Sequence, residues 1–170
     1  MPIILEYPLL LVFPAAMAFA AAMDLFTMTI PNRVSLALLA TFVLAAPLSG
    51  MAWTTFLSHF GAGALMLVVG IVMFSRGWLG GGDAKLMAAA ALWLGFENLL
   101  PFMLWAVLLG GVLAVVILVY RSLVPPLWVA NQSWALRLHD NREGIPYGVA
   151  LAGAGLLIYP SMQWVAGLTG

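Results

Sequence analysis

The chain has 170 residues, of which 65% are hydrophobic and 7% charged, and six Lys+Arg balance six Asp+Glu. A soluble domain carries about 25% charged residues, so a mean hydropathy of +1.11 excludes an ordinary soluble fold, and the neutral balance gives no attraction for nucleic acid. The lack of cysteine removes disulfides, thiolate metal sites and thiol nucleophiles, and two distant histidines, His59 and His139, suggest no metal or cofactor.

A membrane-spanning helix needs about 20 mostly apolar residues. Division at Pro, Gly and charge interruptions predicts six spans: Ile3–Met23, Val34–Leu48, Thr55–Phe74, Ala84–Leu94, Leu99–Tyr120 and Tyr147–Leu168. The fourth and fifth come from one long apolar stretch, split at Gly95-Phe96-Glu97-Asn98 and Pro101. The second and fourth are short. The opening run lacks a basic leader, carries Glu6 and is interrupted by Pro14, so it reads as a retained helix and not a signal peptide. The expected fold is an all-α polytopic membrane protein of about six transmembrane helices, one domain over residues 1–170.

Six spans place Arg33, Arg76, Lys85, Arg121, Arg137 and Arg142 on one side. The positive-inside rule makes that side cytoplasmic and puts both termini outside. The Arg121–Ile145 connection, with Trp128 and Trp134 among its cations, is expected to lie partly along the inner leaflet. His59 reads as structural and His139 as solvated.

Of the six acids, Glu6, Glu97, Asp140 and Glu143 read as solvated charges. Asp24 closes the first span and Asp83 opens the fourth, at matched depth on the cationic side. Taken singly, Asp83 reads as an N-cap and Asp24 as a loop residue. As a pair near membrane depth, where ionisable groups are costly, they are candidates for a catalytic dyad. Gly80-Gly81-Gly82 precedes Asp83. Such a run permits close backbone approach, and irregular backbone at this depth belongs beside a cavity or water. An extended substrate could pair with it.

Gly80-Gly81-Gly82-Asp83 fits the Gly-x-Gly-Asp signature of intramembrane aspartyl proteases. With Ala84 and Lys85 it resembles the second aspartate motif of type IV prepilin peptidases. The stretch from Met23-Asp24 to Ile30-Pro31-Asn32 resembles their first motif, and Ile145-Pro146-Tyr147-Gly148 a segment near the start of their last helix. The resemblance implies that Asp24 and Asp83 are catalytic and that Gly80, Gly81, Gly82 and Lys85 bind substrate. The implied reaction removes the leader peptide of a prepilin at the cytoplasmic face of the bacterial inner membrane, for pilus biogenesis. Prepilin and membrane lipids are the implied partners, with no cofactor, no metal and no nucleic acid. The short, cysteine-free chain is similar to the peptidase-only branch that serves tight-adherence (Flp-type) pili. Phe26, Thr27 and Met28 depart from the more polar residues of that family.

Lys85 is placed to face either lipid phosphates or a substrate carboxylate. A serine peptidase is disfavoured, since no Gly-x-Ser-x-Gly elbow occurs. The competing readings are a small ion-coupled transporter with Asp24 and Asp83 as relays, and a non-catalytic pilus assembly subunit.

Overall fold

In hydrocarbon every backbone N–H and C=O must be paired inside the chain, which leaves long apolar runs the helix as their stable form. A computed structural model describes residues 3–124 and 131–162, and among these residues there are helices and no strands. In order they are α1 (Ile3–Thr27), α2 (Asn32–Leu48), α3 (Trp53–Ser75), α4 (Gly81–Ser122), α5 (Ser133–His139) and α6 (Tyr147–Ile158), the last extended by a 3-10 turn at Tyr159–Ser161. α3 and α4 are long and apolar enough to cross a membrane, while Leu11–Thr27, Asn32–Leu48 and Tyr147–Ser161 are shorter apolar helices. The protein is all-α and membrane-like. Part of the expected last span, 163–168, and Trp128 lie outside the described residues.

The break expected near Gly95 is a reversal of α4. Gly95 adopts φ 67, ψ 178, a region essentially confined to glycine. The contacts on either side give the direction of each limb. In the first limb Asp83 lies by Gly148 at the start of α6, and Trp93 meets Phe13 (5.2 Å), which stacks on Tyr159 at the far end of α6 (5.3 Å). In the second limb Asn98 meets Ser161, whereas Gly110 faces Tyr147. The first limb therefore runs parallel to α6 and the second antiparallel. Two side chains serve carbonyls beside the break: His59 Nδ1–H donates to Leu92 O at 2.8 Å, and Asn98 Nδ2 donates to Leu94 O at 3.1 Å.

Glycine lets α3 lie close on the first limb. A Cβ at Gly70 would stand 2.9 Å from that of Ala84, and one at Gly63 would stand 3.1 Å from that of Leu92. Small residues of this kind bring apolar helices into backbone contact within a membrane. The six Lys and Arg side chains belong to the end of the bundle that carries Asp24, Asn32, Gly81 and Gly148.

The segment after α4 is tied to that end. The Arg121 guanidinium donates to the carbonyls of Leu138, Glu143 and Gly144 at 2.8, 3.0 and 2.9 Å. Arg137 donates to Phe26 O, and the Phe26 ring meets Trp134 edge-on at 5.4 Å. α5 is thereby fastened across the end of α1.

Candidate active site

Asp24 stands in the last turn of α1, which continues to Thr27, beyond the expected end at Met23. Its backbone carbonyl accepts the N–H of Met28 at 2.8 Å, and Met28 turns out of the helix at φ 54. Thr27 Oγ1 secures this turn, donating to Met23 O at 2.6 Å with Thr29 Oγ1 2.8 Å away. The Asp24 side chain points inward and is 5% exposed, so it is not a solvated loop residue.

Asp83 is 8% exposed. Gly80, not Asp83, is the N-cap of α4. As the third helical residue, Asp83 turns its carboxylate back toward the Gly80 N–H, the return half of a capping box. Its Oδ2 lies 2.8 Å from where a Cβ on Gly80 would stand, which explains glycine there.

A third segment closes the site. Gly148 N–H, at the start of α6, donates to Asp24 Oδ2 at 2.7 Å and also acts on the Asp83 carboxylate. The Val149 N–H adds to its hold on Asp24. A Cβ on Gly148 would stand 2.7 Å from Asp24 Oδ2 and 2.6 Å from Ile30 Cδ1. Ile30 in turn packs on Gly82, where an added Cβ would come within 3.1 Å. The three stretches singled out in the sequence thus meet at one point, and the charges of the two carboxylates act on each other. Among the described residues Asp83 Oδ1 is buried without a hydrogen-bond partner. A buried acceptor left open in this way calls for a reason.

The glycine run has internal neighbours: Gly80 faces Asp83, Gly81 the Phe74 ring and Gly82 Ile30. Lys85 is exposed on another face of α4, its Nζ donating to Asn32 Oδ1 at 2.8 Å. His139 Nε2 bonds Leu123 O at 2.8 Å instead of standing free in solvent. Asp140 Oδ1 accepts the Arg142 N–H at 2.9 Å within its own turn.

Two features escaped sequence reasoning. Gly148 stood in a motif without a chemical role, and its place before an apolar helix was the available signal. Phe26 read as a departure, yet its ring and carbonyl anchor α5.

A family model described as the type IV leader peptidase family matches residues 11–115, a stretch that includes both aspartates and ends before Gly148. No curated protein matches the chain, and no solved structure does.

Proposed function

The chain belongs to the type IV leader peptidase family, and from that premise we propose that Asp24 and Asp83 form an aspartyl dyad that removes the leader peptide from prepilins. The proposed place of action is the cytoplasmic face of the bacterial inner membrane, and the product serves pilus assembly. The observation that carries this reading is the meeting of both carboxylates at the Gly148 N–H.

Two carboxylates sharing a site hold one proton between them, because like charges so close do not both ionise readily. The ionised member takes a proton from a water, and the resulting hydroxide oxygen bonds to the scissile carbonyl carbon. The protonated member donates to the carbonyl oxygen. Collapse of the tetrahedral species breaks the C–N bond, and the amine leaves with a proton from the dyad. Asp83 Oδ1, buried without a hydrogen-bond partner among the described residues, is the oxygen with an acceptor site left for the reacting water or the substrate carbonyl. Positioned proton transfer of this kind supplies about 10²–10⁴-fold in rate, and the fixed N–H of Gly148 keeps the geometry ready.

The orientation rests on the cations. All six gather at the dyad end, and the positive-inside rule turns that end to the cytoplasm. The dyad then faces a leader peptide just before it joins an apolar membrane helix.

The test is reconstitution of the protein in vesicles with a tight-adherence prepilin and mass spectrometry of the products. One new pilin N-terminus, formed in the presence of serine- and cysteine-directed inhibitors, is expected. An intact prepilin after prolonged incubation with well-folded protein contradicts the proposal.

A further inference from the structure

α2 and α3 both pack on the first limb of α4, and much less closely on each other. The gap is a groove of about 560 Å³. Its walls are regular: α2 from Asn32, α3 from Phe60 and α4 from Lys85 each present positions i, i+3, i+4 and i+7. That spacing is one helix face, and seven residues of rise make the groove about 10 Å long. Beyond the far end Phe42 of α2 stacks on Phe56 (5.7 Å) and His59 (5.3 Å) of α3. The near end opens beside Asn32 and Lys85. The segments Ile30–Asn32 and Gly82–Lys85 form the partition here, with the dyad on one side and the groove mouth on the other.

The floor carries Ala64 and Ala88, beside the buried Gly63 and Ala89 where α3 and α4 already meet. A strip of small residues accepts the backbone of another helix closely. At the mouth stands a cation whose polar partner among the described residues is the neutral amide of Asn32. An occupant with an acidic group at that level would complete the pairing, in an interfacial setting where water screens the charge incompletely.

We propose that this groove seats the inner two turns of the substrate's apolar membrane helix, with an acidic side chain at that end paired to Lys85. The inference rests on the peptidase reading above and adds the substrate's second anchor to it. Seated so, the helix ends at the mouth, and the chain preceding it crosses the start of α4 to reach Asp24 and Asp83. Lys85 is then a specificity residue that touches substrate away from the cut bond.

The experiment measures cleavage kinetics in neutral and in anionic vesicles for wild type and three variants. Ala64→Trp fills the groove from an exposed position, Lys85→Glu reverses the charge, and Val115→Trp places the same side chain on the exposed face of the second limb. Ala64→Trp and Lys85→Glu are each expected to raise KM about tenfold with kcat little changed, the mark of lost ground-state binding. Val115→Trp should match wild type. A substrate whose first acid on the helix side of the cut is changed to Lys should restore Lys85→Glu. An unchanged KM in both groove variants overturns the proposal. So does a Lys85→Glu defect that follows the anionic lipid content and ignores the substrate change, which would assign the cation to lipid phosphate. If Ala64→Trp does not insert, the charge exchange alone decides. A short peptide spanning the cut but lacking the apolar helix separates the two readings. Equal cleavage of it by wild type and both groove variants shows the peptidase intact, whereas cleavage that survives in Asp83→Asn would bring down the dyad and not the groove.

Discussion

Gly148 N–H and Asp24 Oδ2, 124 residues apart in sequence, are joined by a hydrogen bond of 2.7 Å. The bond fixes the start of α6 to the end of α1 and leaves no room for a side chain, because a Cβ at Gly148 would stand 2.7 Å from the oxygen it serves. Gly148→Ala is therefore expected to displace the carboxylate while the helices remain assembled. An error of about 1 Å in such a site costs on the order of 10²-fold in rate. Cleavage assays beside a thermal melt check this: kcat should fall by about that factor with a small change in Tm, and an unaltered kcat would remove Gly148 from the site.

Much of this site was legible from sequence because apolar runs and charges act locally. Span boundaries followed from Pro, Gly and charge, and the side shared by Asp24 and Asp83 followed from counting spans. Long-range contacts left no local mark. Nothing in the residues around Phe26 reveals that α5 returns to cover it, and nothing around Asp83 distinguishes an N-cap from the third residue of a helix capped at Gly80. The break at Gly95 was legible as an interruption, but the help of His59, 33 residues from the Leu92 carbonyl it satisfies, was not.

Gly95 carries the reversal of α4. Its φ of 67 and ψ of 178 cost a residue with a side chain about 1–3 kcal/mol, and a Cβ there would also stand 2.8 Å from His59 Nε2. Gly95→Ala is expected to lower stability by at least about 1 kcal/mol, read as a lower Tm in detergent. A melt equal to that of wild type would mean that this backbone conformation is not required.

Arg121 holds α5 and the turn after it through three backbone carbonyls, Leu138 in α5 and Glu143 and Gly144 beyond it. Arg121→Ala should free residues 131–144 while the apolar bundle stays intact, since the hydrogen bonds lost are confined to that segment. Limited proteolysis should cut Arg121→Ala there faster than wild type, with little change in the helical circular dichroism signal. Equal cutting rates would show that the other contacts of α5, with Phe26, Tyr120 and Leu123, suffice to hold it.

Segregation of the cations predicts the membrane orientation. Reporter fusions at Ser75 and Ser133 are expected to read cytoplasmic, and one at Gly50 to read outside. An outside signal at Ser75 would place the dyad on the opposite face and detach it from a cytoplasmic leader peptide.

Asp24→Asn and Asp83→Asn test the central claim most directly, because each replaces one carboxylate by an amide of the same shape. Members of a catalytic unit are not additive, so each single variant should lose nearly all cleavage, about 10³-fold or more, and the double variant should be little worse. The measurement is single-turnover cleavage of prepilin by vesicle-inserted wild type, both single variants and the double variant. Near-complete loss in each single variant at normal insertion is the predicted result; a single variant that still processes prepilin at a rate near wild type would contradict the dyad.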